Sequence, residues 1–284
     1  MEDSSILILG SNGQLGKALK QKYPRAKALD SNELDISSDQ AIDNFDFRPY
    51  KVIINAAAYT NVDGAESKEG RVAAWKVNAQ ALSLLAKKIF SLNITLVHIS
   101  TDYVFDGTIA NHKEDEPLSP LGVYGQSKAA GDLVVNTLSK FYTVRTAWVI
   151  GDGKNFVRIM LELAKRGINP TVVSDVIGRP TFTTELVRAI DHLLKTNAKF
   201  GTYNITNGGD PVSWADLTKA IYKEAGLNNT VTDTTNEEYY SDKPGAAPRP
   251  INSVLDLAKI KLTGFNLTDW REDLTKYLKE EEKQ

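Results

Sequence analysis

Tyr124 and Lys128 lie four residues apart in Val123-Tyr-Gly-Gln-Ser-Lys128. In a helix that spacing stacks both side chains on one face. A phenol beside an ammonium is a poised acid, because the positive charge favours phenolate and lowers the phenol from its free value of about 10. Such a group can hand a proton to a carbonyl oxygen while hydride arrives at the carbon. The chain has a candidate place for a hydride-carrying nucleotide upstream. Gly10-Ser-Asn-Gly13-Gln-Leu-Gly16 falls between an apolar run, Ile6 to Leu9, and a helical stretch from Gln14 to about Lys22.

Each glycine has a physical reason. A tight turn needs a permissive backbone. A bare backbone lets pyrophosphate reach the free N–H groups at a helix start. The third glycine lets helix and strand pack closely. The spacing is GxxGxxG, not the usual GxGxxG, and it also occurs in strand–turn–helix units that bind no nucleotide. Asp30 strengthens the nucleotide reading. It ends a second short strand, Ala26 to Leu29, where a carboxylate would meet adenosine ribose hydroxyls. An acidic residue there favours NADH, but Lys17 or Lys20 could partly offset repulsion of a 2′-phosphate, so NADPH stays open. Asp35 and Ile36 could flank the adenine, and Ala57, Ala58 and Tyr59 could lie on the nicotinamide side.

Ser100-Thr101-Asp102 follows another buried strand, Ile94 to Ile99. In an open α/β sheet, ligands bind at the carboxyl ends of strands. Thr101 is placed to hydrogen-bond a substrate carbonyl, and Asp102 to contact a sugar hydroxyl. Capping a turn is the competing use of both. His98, His112 and His192 show no metal spacing, and His98, inside an apolar strand, reads as a packing residue. No metal site is expected.

The elements that must position these residues alternate between strand and helix. Further strands are expected at Val52 to Ile54 and Tyr142 to Val149. Helices are expected from Ser38 to Phe47, Ala65 to Phe90 and Tyr124 to Leu138. That alternation implies α/β architecture, a doubly wound parallel sheet of Rossmann type. Residues 1–150 form the expected dinucleotide-binding domain. A helix from Glu185 to Lys195 and a strand from Thr202 to Ile205 bring 178–206 back to it. Residues 151–177 and 207–284 form a smaller C-terminal substrate-binding lobe, packed so as to leave a cleft.

Composition excludes several other classes. The chain has 284 residues, 42% of them apolar and 25% charged, with a net charge of −2. No global field draws it to nucleic acid or an anionic membrane. Without cysteine it has no disulfide framework, thiolate nucleophile or zinc–thiolate site. That fits a cytoplasmic location, as does the lack of a membrane-length apolar run.

The motifs together resemble a known family. Gly10-x-x-Gly13-Gln-Leu-Gly16, Asn55-Ala-Ala-Ala-Tyr-Thr-Asn-Val-Asp63, Ser100-Thr-Asp-Tyr-Val-Phe-Asp-Gly107, Tyr124-Gly-x-Ser-Lys128 and Arg145-Thr-Ala-Trp-Val149 are similar to those of the dTDP-4-dehydrorhamnose reductases, which are extended short-chain dehydrogenases/reductases. Asn155-Phe-Val, Gly178-Arg-Pro-Thr and Arg249-Pro-x-Asn-Ser253 match as well. The resemblance implies NADH- or NADPH-dependent reduction of the C4 ketone of a dTDP-4-keto-6-deoxy-L-hexose to dTDP-L-rhamnose. Tyr124 would donate the proton, Thr101 would polarise the carbonyl, and Lys128 would bind the nicotinamide ribose. Gly13, Gln14, Leu15, Asp30, Asp35, Ile36, Ala58, Tyr59 and Thr60 would line the cofactor. Thr101, Asp102 and Trp148 would contact the sugar, and Arg249 would neutralise the pyrophosphate. Some relatives dimerise through magnesium held by carboxylates, one of them at the position of Ala18 here. A monomer or weak homodimer is therefore expected. An epimerase or dehydratase on the same scaffold remains an alternative, as does a non-catalytic subunit resembling the regulatory subunit of methionine adenosyltransferase.

Overall fold

Four consecutive apolar residues make β1 (Ile6–Leu9) buried on both faces, as a central parallel strand requires. In the computed structural model, which describes residues 2–283, everything needed to cover those faces follows in chain order. α1 (Gln14–Lys22), β2 (Lys27–Leu29), α2 (Asp39–Asn44) and β3 (Val52–Asn55) come first. α3 (Lys68–Trp75) continues through a π-helical turn (Lys76–Gln80) into α4 (Ala81–Ile89). β4 (Thr95–Thr101), a 3-10 turn (Asp102–Val104), α5 (Val123–Val135) and β5 (Phe141–Thr146) complete the first part. Then come β6 (Val149–Ile150), α6 (Phe156–Lys165), β7 (Thr171–Val173), β8 (Ile177–Gly178), β9 (Thr181–Phe182), α7 (Thr183–Thr196) and β10 (Gly201–Asn204). The remainder is β11 (Val212–Ser213), α8 (Trp214–Glu224), β12 (Thr232–Thr234), α9 (Asn236–Tyr240), α10 (Ala258–Leu262) and α11 (Trp270–Glu281).

The main sheet has six strands in the order β10-β5-β4-β3-β1-β2, and every pair in it is parallel. Its two faces bury separate apolar layers. Ile6, Ile8, Ile54 and Val97 pack with Leu19 of α1 and Leu186 and Ile190 of α7. Leu7, Leu9, Ile53 and Leu96 pack with Leu82 and Leu85 of α4 and Val135 of α5. A third apolar cluster joins α6, α8 and α11 around Tyr222 and Trp270.

Two elements differ from the sequence reading. The single helix expected over 65–90 is interrupted. The π turn inserts one residue's worth of backbone, and there Asn78 turns inward, 1% exposed. The strand expected over 142–149 stops at Thr146. Trp148 has φ +48, a left-handed conformation that no strand continues through, and β6 then pairs with β9 instead.

Leu82 is fully buried between sheet and helix. Leu82→Ala should lower stability by about 2–5 kcal/mol, the usual range for a leucine-sized cavity. A urea titration should show this as a lower midpoint at unchanged slope.

Candidate active site

At the end of β1 the chain turns through Gly10 at φ +78, where an added Cβ would meet the Ala57 nitrogen at 2.6 Å. A Cβ on Gly16 would run into the Gly10 carbonyl, so only glycine lets α1 lie this close. α1 starts at Gln14, and Gly13 in the capping position before it has no side chain to cap it. Its first N–H groups are left for a ligand, and an anion suits them best. Beside them is a hollow of about 380 Å³, lined by Gly10, Gly13, Asp30, Asp35, Ile36, Ala58 and Tyr59 together with Val77. Asp30 Oδ1 accepts the Asn32 N–H at 2.8 Å, and Asn12 donates to the other oxygen. The lining is acidic, for Lys17 points elsewhere and pairs with Asp152 at 3.0 Å.

The hollow adjoins a cleft of about 620 Å³ that gathers Gln14, Leu15, Thr60, Thr101, Asp102, Tyr124, Lys128 and Trp148. Tyr124 is the second residue of α5, whose start is fixed by the Val123 N–H donating to Glu66 Oε1 at 2.8 Å. A Cβ on Gly125 would strike the Tyr103 carbonyl, so α5 presses directly on the 3-10 turn. The Tyr103 and Tyr124 rings meet edge to face, with centroids 5.7 Å apart.

The electrostatics correct one expectation. Burial pushes the Tyr124 phenol up to about 12, with the Thr101 hydroxyl pulling the other way and the Asp102 and Asp132 charges adding to the rise. Lys128 is sealed at 1% exposure, and burial lowers it to about 8. Desolvation thus outweighs the expected charge effect, and the phenol stays protonated through neutral pH. Thr101 is also engaged: its hydroxyl donates to Asp102 Oδ1 at 2.9 Å and accepts the Tyr103 N–H at 3.2 Å. It must turn to reach a carbonyl. Burial lifts the Asp102 carboxyl to about 6.

Trp148 stands at the far side of the cleft, stacked on Trp214 with centroids 3.5 Å apart and planes at 16°. Both indoles also line a mostly apolar cavity of about 350 Å³ behind them, next to Tyr240 and Arg249. The pair is a shared wall between the two compartments.

Comparison with known proteins decides the family. The model of the RmlD substrate binding domain matches residues 4–283. The dTDP-4-dehydrorhamnose reductase of Aggregatibacter actinomycetemcomitans is 39% identical over 95% of this chain and 96% of its own. The crystal structure of the Bacillus anthracis dTDP-4-dehydrorhamnose reductase in complex with NADP superposes with a TM-score of 0.89 at 34% identity, covering 97% of this chain and 98% of that one. The chain belongs to the RmlD family. Another relative is the spore coat polysaccharide biosynthesis protein SpsK of Bacillus subtilis, 35% identical over 98% of both chains.

Within this RmlD-family fold, Arg249 is not free. Its guanidinium holds both carboxylate oxygens of Asp63, at 2.8 and 2.9 Å, and lies 4.3 Å over the Tyr240 ring. Any anion approaching it competes with Asp63. Among the described residues, no cluster of three His, Asp or Glu side chains could hold a metal ion.

Several residues around the site escaped the sequence reading. Asn78 accepts the Tyr59 N–H at 2.9 Å, donates to the Tyr59 carbonyl at 3.1 Å, and donates to Ser127 of α5 at 3.0 Å. It ties the wall of the hollow to the helix of Tyr124. The available signal was a lone asparagine on an apolar helix face. Asp132 of α5, one turn beyond Lys128, receives Arg145 Nε at 3.0 Å with both side chains buried. Burial lifts its carboxyl above the ordinary range despite that partner. The spacing of Lys128 and Asp132 was visible, but Arg145 comes from another strand.

Gly178 backs the Trp148 ring, and an added Cβ would lie 2.7 Å from Trp148 Cε2. Gly178→Ala should displace that ring and weaken the indole couplet in near-ultraviolet circular dichroism, with the far-ultraviolet spectrum retained. An unchanged couplet would mean that Gly178 does not hold the stack.

Proposed function

We propose that this protein reduces the C4 ketone of dTDP-4-dehydro-6-deoxy-L-mannose to dTDP-L-rhamnose, using NADH or NADPH. One observation carries the reading. A protonated phenol, Tyr124, and a hydroxyl, Thr101, share a cleft that opens onto an uncapped helix start and an acid-lined hollow. Family membership supplies the substrate class, since relatives 39% and 34% identical to this chain carry the name dTDP-4-dehydrorhamnose reductase.

The residues fit a dinucleotide. The first turn of α1 would receive the pyrophosphate, Asp30 the adenosine ribose, Asp35 and Ile36 the adenine edge, and Ala58, Tyr59 and Thr60 the side toward the cleft. When bound, reduced nicotinamide supplies the hydride. The chain's own residues then position and protonate. Thr101 turns from Asp102 to the ketone oxygen and polarises it. Tyr124 gives its proton to that oxygen as charge develops there. Lys128 holds the nicotinamide ribose. Trp148 and Asp102 fix the sugar ring, and the cavity behind the indole wall takes the nucleoside. Arg249, released from Asp63, meets the pyrophosphate in a bidentate way.

We also infer that residues 1–150 with 178–206 bind the dinucleotide, and that 151–177 with 207–284 bind the sugar nucleotide. The parallel strand β10 supports the return of 178–206, and the cluster around Trp270 is built mainly from 151–177 and 207–284, with Ile150 and Phe182 joining it, while Leu257, Ile260 and Phe265 pack on the main sheet. Ala18 favours a monomer or weak homodimer. Among the described residues no helix is long and apolar enough to cross a membrane. A dehydratase would need an additional acid/base pair after the threonine, and Asp102-Tyr103 does not provide it. Thr101, Tyr124 and Lys128 together argue against a purely regulatory subunit.

Tyr124→Phe should lower kcat by about 10²–10⁴, the usual worth of a positioned acid, with reduced-cofactor affinity nearly unchanged. The measurement is nicotinamide absorbance with dTDP-4-keto-L-rhamnose, and full turnover in the variant would remove the assignment. Asp30→Asn should raise kcat/KM for NADPH relative to NADH several-fold, because it removes one negative charge beside a 2′-phosphate. An unaltered ratio would place the ribose elsewhere.

A further inference from the structure

Among the buried ionisable side chains that the mechanism above leaves without a part, His98 is one that reaches Lys128. His98 of β4 is fully buried, and its register neighbour on β3 is Asn55. The Asn55 amide has a fixed orientation, because its Oδ1 accepts the Ala57 N–H at 3.2 Å. Its NH₂ group therefore faces His98 Nδ1, at 3.3 Å. An amide NH₂ can only donate, so Nδ1 accepts, and the neutral ring carries its proton on Nε2. Burial first, and the Lys128 charge second, keep the ring neutral by pushing its pKa well down. The Nε2–H then looks toward Lys128 Nζ at 3.4 Å, with Asp132 Oδ1 at 3.9 Å.

That arrangement matters for an amine. An ammonium has three hydrogens and no lone pair, so it gains nothing from an N–H aimed at it. A neutral amine has a lone pair and can accept that hydrogen. The Ile99 carbonyl accepts from Nζ at 2.6 Å in either state. We propose that His98 is a positioning residue for Lys128, its Nε2–H directed at the amine nitrogen that the Ile99 carbonyl holds from the other side. The proposal rests on the reading of Lys128 as the residue that holds the nicotinamide ribose.

Other groups set the balance. From α5 itself come Asp132, which favours the ammonium, and Tyr124; from β5 comes Arg145, which occupies Asp132. The 3-10 turn brings Asp102 and Tyr103 to the cleft, and Glu66 meets the start of the helix. Burial outweighs Asp132 and brings Lys128 down to about 8. An unfolded chain keeps this proton to the ordinary lysine range. Above pH 8, then, the folded site loses it first, and any binding that needs the ammonium fades there.

The test uses the whole protein. The dissociation constant of reduced cofactor is followed by nicotinamide fluorescence from pH 6 to 10. Exchanging a charge-assisted for a neutral hydrogen bond should weaken binding about fivefold, with a midpoint near pH 8 in the unaltered protein. His98→Leu should move that midpoint upward by about one pH unit, whereas His98→Gln, whose amide nitrogen can replace Nε2–H, should leave it in place. Superimposable profiles for His98→Leu and the unaltered protein overturn the proposal. If His98→Leu does not fold, long-range ¹H–¹⁵N correlation on the unaltered protein decides. A proton on Nε2 supports the proposal, and a proton on Nδ1 overturns it. Turnover of the keto-sugar nucleotide tests the reductase reading separately. A protein that binds cofactor with the expected midpoint but reduces no ketone loses that reading and keeps the role of His98.

Discussion

A lysine amine buried under a helix against a parallel sheet sets the terms for everything around it. Apolar surroundings penalise its charge, so Lys128 must be met by polar groups on all sides that face it. The Ile99 carbonyl and Asp132, with Arg145 behind it, do this from α5 and two adjacent strands. Those strands consequently carry polar residues where a parallel sheet would otherwise be continuously aliphatic. Thr101, at the tip of the same strand, and Tyr124, one turn away on the same helix, inherit their positions from this packing. The places of both hydroxyls are set by the requirements of the amine beneath them.

Much of the fold was legible because the strands are short, apolar and bounded by turn residues. Ile6 to Leu9, Val52 to Ile54 and Ile94 to Ile99 all lie in the main sheet. Where the reading went astray, a tertiary need overrode local pattern. A helical stretch was read unbroken from Ala65 to Phe90, and a lone asparagine on its apolar face was the one local sign, with nothing to say that Asn78 would reach Tyr59 and Ser127. Likewise Arg145 to Val149 is rich in strand formers, yet Trp148 breaks the run in order to stand beside Trp214.

The site was legible as a set of residues and illegible as a field. Gly10, Gly13, Asp30, Thr101, Tyr124, Lys128 and Trp148 line two adjoining spaces. Their protonation could not be read from spacing. The four-residue interval between phenol and amine implied a depressed phenol, but neighbours in sequence say nothing about how much water each side chain keeps. Arg249 illustrates the same limit. Its type suited an anion, and only the fold shows Asp63 already in its grasp.

The π turn at Lys76–Gln80 has a consequence for how this chain tolerates length changes. Such a turn is an ordinary helix carrying one surplus residue. Removing one residue there would let α3 and α4 merge into a regular spiral, which local propensity would welcome. Everything on one side of the deletion would then swing by about 100° relative to the other. Either Leu82 and Leu85 would leave the sheet or Asn78 would leave Tyr59. A locally favourable repair would thus disconnect the core from the wall of the hollow, so the irregularity behaves as a phase adjuster between two faces that cannot both be served by a perfect helix.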